Sequence, residues 1–190
     1  MHAILIGRDG GQALVSVHVV AGTAGAGKTS LVLHWAHQVK DRFPDGQLFL
    51  NLRGYDPGEP VTAEQALRRF LRALGVASGD IPQDVDDAAA LYRSLLADRR
   101  MLILLDNAAT VGQVRPLLPG GGDSLTVVTS RNRLAGLAVR EGARRITSAC
   151  FPSPKPSNYC RLSRRTTARE TTRTSSQWAV RESLSRSAVA

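Results

Sequence analysis

Apolar residues along this chain follow two rhythms in alternation: short continuous runs, and longer stretches in which they recur every three or four positions. The first run, Leu14-Val15-Ser16-Val17-His18-Val19-Val20, predicts a strand buried on both faces. Between Ser30 and Arg42, Leu31, Val32, Trp35, Ala36 and Val39 fall on one stripe of a helix. Pro44-Asp45-Gly46 makes a turn, Gln47 to Leu52 a second strand, and Gly54 to Pro60 a loop. Thr62 is a helix N-cap for Ala63 to Leu74, whose Ala66, Leu67, Phe70, Leu71 and Leu74 share a face before Gly75 ends it. A further helix starts at Asp84 or Asp86 and runs through Leu91, Leu95 and Leu96 to Ala97. The unbroken run Met101-Leu102-Ile103-Leu104-Leu105 predicts a central parallel strand that ends at Asp106. Val111 to Leu118 reads as a short helix stopped by Pro119-Gly120-Gly121-Gly122, Leu125 to Thr129 as a strand ending at Ser130-Arg131, Leu134 to Val139 as a helical turn, and Arg144 to Thr147 as the start of a last strand. Strands alternating with helices predict an α/β domain with a mainly parallel sheet. Trp35, Phe70 and Tyr92 sit at helical spacing among apolar neighbours, so they are expected in the core rather than stacked on a base.

Ligands of such sheets bind at the carboxyl ends of the strands. Directly after the first strand comes Gly22-Thr23-Ala24-Gly25-Ala26-Gly27-Lys28-Thr29, a complete G-x-x-x-x-G-K-T phosphate-binding loop, and directly after that the first helix. Its glycines let the backbone wrap a polyphosphate with N–H groups pointing inward, and the helix adds the positive end of its dipole. Residues Gly22 to Ser30 are therefore the expected nucleotide cradle, with Lys28 aimed at the β- and γ-phosphates and the Thr29 hydroxyl at a magnesium ion. Asp106, at the end of an apolar strand, is the expected second magnesium residue. Asn107 follows where many hydrolysing ATPases carry a second acid, and an amide can position water but not take its proton; slow turnover, or binding without hydrolysis, is expected. Arg131, at the end of the next strand, is a candidate for sensing the γ-phosphate, its competing reading being a surface arginine at a loop start; Arg53 is a weaker candidate.

Charge changes the picture mainly at one end. The chain of 190 residues has a formal charge of +9, but residues 1–148 hold 17 Lys/Arg against 14 Asp/Glu, whereas residues 149–190 hold 8 against 2. Those last residues also contain 13 Ser/Thr and only five of Leu, Ile, Val and Phe, a composition expected to stay disordered. The expected organisation is an irregular segment 1–13, a P-loop domain 14–148 and a basic tail 149–190. Cys150 and Cys160 have no metal-ligand spacing. The apolar run near Met1 is too short for a signal peptide and no segment is long enough to span a bilayer, so a cytoplasmic location is expected.

Several segments together resemble the NB-ARC domain of the STAND class of ATPases, in the form found in bacterial AfsR/SARP-type transcriptional regulators: Val19 to Thr29, His34-Trp35-Ala36-His37, Phe43 to Leu48, Asn51-Leu52-Arg53-Gly54-Tyr55-Asp56-Pro57, Leu104 to Ala108, Gln113 to Pro119 and Val128 to Asn132. The resemblance covers about residues 15–147. It implies a P-loop NTPase three-layer sandwich that binds ADP at rest and ATP when active. Lys28 and Thr29 carry over as phosphate and magnesium residues, Asp106 as the magnesium-site acid and Arg131 as the γ-phosphate sensor. The implied cofactors are ATP or ADP with Mg2+, and the implied partners an adenine nucleotide and, in the ATP state, a second copy; contact with DNA by this stretch, or with a membrane, is not expected. Gly7-Arg8-Asp9 stands where the family carries a Gly-Arg-Glu motif, but without room for the helix that follows it there. The family pattern stops after about Thr147, and a frameshift or truncation is the expected cause.

The resulting expectation is an ADP/ATP-binding module of a signalling ATPase. The alternatives are a small P-loop kinase or other ATP-hydrolysing enzyme, and a non-functional truncated remnant. GTP is disfavoured because no Asn-Lys-x-Asp base-reading motif occurs.

Overall fold

The computed structural model describes residues 16–147. The expectations for residues 1–13, for Leu14 and Val15 and for the basic tail lie outside the described residues. Five strands and five α-helices alternate: β1 (Ser16–Ala21), α1 (Lys28–Val39), β2 (Gln47–Asn51), α2 (Ala63–Ala73), α3 (Val85–Leu96), β3 (Leu102–Ala108), α4 (Val111–Val114), β4 (Leu125–Ser130), α5 (Ala135–Glu141) and β5 (Arg144–Thr147). They build one sheet, order β2-β3-β4-β1-β5, in which every described pairing is parallel. Registers such as Val19 opposite Val128 and Leu50 opposite Leu105 bring the carboxyl ends of β1, β4, β3 and β2 level along one edge.

Helices cover both faces, because the central strands are apolar on both. On one side Val32, Trp35, Ala36 and Val39 of α1 pack on Val20, Leu102, Leu104 and Val127. On the other, Ala66, Leu67, Phe70 and Leu71 of α2 and Ala88, Ala89, Tyr92 and Leu96 of α3 pack on Val17, Val19, Leu48, Leu50, Ile103, Leu105 and Val128. The Phe70 and Tyr92 rings stack at 5.8 Å between centroids, so the three aromatics read as core are core. Each fully buried Leu or Ile contributes about 1.5–3 kcal/mol relative to exposure. Caps fix the helix starts: Thr62 and Gln65 form a reciprocal capping box, and the Asp84 carboxylate accepts from the N–H groups of Asp86 and Asp87.

Two elements differ from the expectation in ways that matter. The helix read over Val111–Leu118 is a single α-turn followed by a 3-10 turn at Arg115–Leu117, because Pro116 has no N–H to continue the α ladder. Strand β3 does not stop at Asp106; it runs to Ala108 through an irregular register between Leu105 and Ala108. Asn107 there adopts φ +57°, and its N–H goes to the Thr129 side chain instead of to the ladder. This bulge sits at the sheet edge where the candidate residues meet.

Candidate functional site

The loop between β1 and α1 is tied to β4 by the Gly22 N–H, which donates to the Ser130 carbonyl at 3.3 Å. Gly27, at φ +71°, takes the left-handed conformation that turns the chain into α1. No side chain caps α1 and no acid stands in its first turn, so its leading N–H groups are left for an anion. Lys28 is buried and folds back over the loop, its Nζ donating to the carbonyls of Gly22 (2.8 Å) and Thr23 (2.7 Å). Burial, and then the nearby Arg131 guanidinium, lower the Lys28 pKa from its usual value, while Asp106 pulls it the other way. An anion in the loop would favour the charged ammonium.

Asp106 joins three elements. Its Oδ1 accepts from the Thr29 hydroxyl of α1 at 2.7 Å and from the Thr129 hydroxyl of β4 at 2.5 Å. The Thr129 oxygen in turn accepts the Asn107 N–H at 2.9 Å. A hydroxyl and a carboxylate side by side are hard oxygen donors of the kind Mg2+ takes. Among the described residues no three His, Cys, Asp or Glu cluster as a metal site.

Beyond Asp106 lies a feature that the sequence did not single out. The Asn107 Nδ2 donates to Asp56 Oδ1 at 2.7 Å, and the Asn51 Nδ2 donates to Asp56 Oδ2 at 3.2 Å. Asp56 comes from the loop after β2, which is pinned by the Gly54 N–H on the Asn107 carbonyl at 2.8 Å. A Cβ on Gly54 would stand 2.4 Å from the Ala109 nitrogen, so only glycine allows this approach. The same loop supplies Tyr55, whose ring lies 4.8 Å below the Arg131 guanidinium.

These groups line one open cavity of about 350 Å³, bounded by Ala24 to Ser30, Asn51, Asp56, Asp106, Asn107, Thr129, Ser130 and Arg131. Lys28, Thr29, Asp106 and Arg131 are thus brought together. Gly22 and Thr23 are not in the lining; their carbonyls hold Lys28 instead. Arg53 is exposed, donates to the Pro57 carbonyl at 3.4 Å and does not line the cavity. Asn51, Tyr55, Asp56 and Thr129 went unassigned in the sequence. Asn51 was findable as a polar residue near the carboxyl end of a strand in a parallel sheet, but nothing in the spacing brings Asp56 across to Asn107.

No family model matches the chain. Over 125 residues, 66% of this chain, it is 50% identical to the regulatory protein AfsR of Streptomyces griseus. Over 132 residues, 70% of the chain, it is 46% identical to the regulatory protein AfsR of Streptomyces coelicolor. Each match spans 13% of the relative's length. Among solved structures, a chain in the structure of Drosophila ORC bound to AT-rich DNA and Cdc6 superposes with a TM-score of 0.51 at 12% identity, covering 82% of this chain and 58% of that one. That likeness shows the fold, an α/β P-loop NTPase sandwich. Among the described residues no helix is long and apolar enough to cross a membrane.

Proposed function

We propose that this chain is an adenine-nucleotide-binding module, whose ADP and ATP forms act as a switch within a regulator of transcription and whose hydrolysis is slow. The observation that carries the reading is the convergence of the Lys28-capped glycine loop with the Thr29–Asp106 hydrogen bond in one cavity. Similarity to two AfsR regulatory proteins over 66% and 70% of the chain supports the regulatory setting. In this reading the loop N–H groups from Ala24 to Thr29 and the Lys28 ammonium hold the phosphates. Thr29 and Asp106 hold Mg2+, which supplies charge neutralisation at the phosphates when bound. Thr129 keeps the Asp106 carboxylate aimed at that position. Arg131, parked on the Tyr55 ring at the rim, reads the presence of a γ-phosphate by a charge-assisted hydrogen bond.

Calorimetry with the full chain, Mg2+ and ADP, ATP or GTP tests this. ADP and ATP are expected to bind, GTP at least tenfold more weakly, and Lys28→Ala to lose most of the heat. Absence of heat with any nucleotide would leave the remnant reading standing.

A further inference from the structure

We infer that Asp56 is the proton acceptor for the water that attacks the terminal phosphate of a bound nucleoside triphosphate. This rests on the nucleotide reading above and deepens it. Asp106 is committed elsewhere: its Oδ1 already accepts two hydroxyls, one of them from Thr29. Asn107, in the next position, carries an amide that cannot take a proton. Yet its amide is not idle. It donates to a carboxylate brought in from the loop after β2, so the acid missing at position 107 is supplied one hydrogen bond away.

Four properties of Asp56 suit it to this work. It lines the same cavity as the phosphate loop, and follows β2 where Asn51 pairs with Asp106 of β3. It is oriented through both oxygens, by two neutral amides rather than a cation. Each oxygen therefore keeps a second lone pair. It takes part in neither of the ion pairs found among the described residues, Glu64–Arg68 and Arg115–Glu141. The loop that carries it is also held to the bulge of β3 by the Gly54 N–H, at a place where a larger residue does not fit.

The water oxygen bonds to the γ-phosphorus while the bond from that phosphorus to the bridging oxygen breaks. The bridging electron pair leaves with the nucleoside diphosphate. The water proton passes to Asp56 and then to solvent, yielding diphosphate, inorganic phosphate and H+.

The test is a single-turnover assay with the full chain in excess over radiolabelled ATP and Mg2+, run beside calorimetric ATP affinity. Asp56→Asn keeps the side-chain shape and an oxygen for the Asn107 amide. It is expected to slow hydrolysis about 100-fold, within the range of general-base catalysis, with ATP affinity within threefold of wild type. The exchanged pair Asp56→Asn with Asn107→Asp returns a carboxylate to the site and is expected to recover at least tenfold of the lost rate. Three results overturn the inference: a wild type that binds ATP without hydrolysing it, an Asp56→Asn rate within threefold of wild type, or equal losses of rate and affinity, which mark a purely structural role. Only a wild type that binds no nucleotide would also remove the reading on which it rests.

Discussion

Replacing Thr129 with valine removes one hydroxyl and nearly preserves side-chain shape at a position 3% exposed. That hydroxyl donates to the Asp106 carboxylate and accepts the Asn107 N–H, so two hydrogen bonds go at once. A hydrogen bond to a charged group contributes about 1.5–3 kcal/mol, and a backbone N–H left unpaired costs about 1–3 kcal/mol. Water at the cavity edge recovers part of this, which puts the net loss at about 3 kcal/mol. With a urea m-value of about 2 kcal/mol/M for a domain of this size, the midpoint should fall by about 1.5 M. Thr29→Val is the internal comparison. Thr29 donates to the same carboxylate oxygen but from an exposed position, and its loss should cost under about 1 kcal/mol. Urea unfolding of the three proteins, followed by circular dichroism, reads both effects. A Thr129→Val midpoint within 0.3 M of wild type, or equal shifts for the two variants, would refute the view that Thr129 braces the bulge (shifts on the linear-extrapolation scale).

His18 should make the domain acid-sensitive. It is 4% exposed on β1, opposite Arg144 of β5, and its Nδ1 has no partner among the described residues; burial first and Arg144 second push its pKa down to about 4 from 6.5. The unfolded chain then binds a proton that the folded one refuses between those values, so stability falls as pH drops below about 6.5, by about 2 kcal/mol at pH 5. His18→Gln should remove that part of the decline in urea midpoints between pH 7.5 and 5, and parallel curves would show that His18 is not the group. Gly54→Ala should cost about 2 kcal/mol by overpacking and slow any ATP turnover by displacing Asp56; an unchanged melting temperature would contradict the close approach to Ala109. Tyr55→Leu removes the ring beneath Arg131, which should cost under about 1 kcal/mol of stability while reducing the preference for ATP over ADP; preference equal to wild type in a competition titration would show that the ring does not position Arg131.

Strands β1 to β4 were legible because each centres on a short apolar run. Met101–Leu105 reads as buried on both faces, and Leu102–Leu105 lie in β3, an interior strand between β2 and β4. The stripes Val32-Trp35-Ala36-Val39 and Ala66-Leu67-Phe70-Leu71 likewise identified the buried helix faces. The phosphate loop and Asp106 were visible because that chemistry demands fixed residue types beside a strand end. What periodicity does not encode is which strands become neighbours. β4 inserts between β1 and β3, and this order places Thr129 against Asp106. The bulge at Asp106–Asn107 left no mark in a run that reads as plain strand, since it depends on a side chain 22 residues further on. Asp56 was hidden for the same reason. Its partners, Asn51 and Asn107, belong to separate strands, and only the folded loop after β2 brings the three together.

Hydrogen–deuterium exchange of the full chain, with and without Mg2+ and ADP, tests at the level of single peptides whether a nucleotide sits in the glycine loop before α1. Slowed exchange is expected in peptides spanning Ala24–Ser30, with a smaller effect around Asp106 and Asn107, and no change there in Lys28→Ala. Bound ADP with unaltered exchange over Ala24–Ser30, or protection confined to another part of the sheet, would contradict that placement.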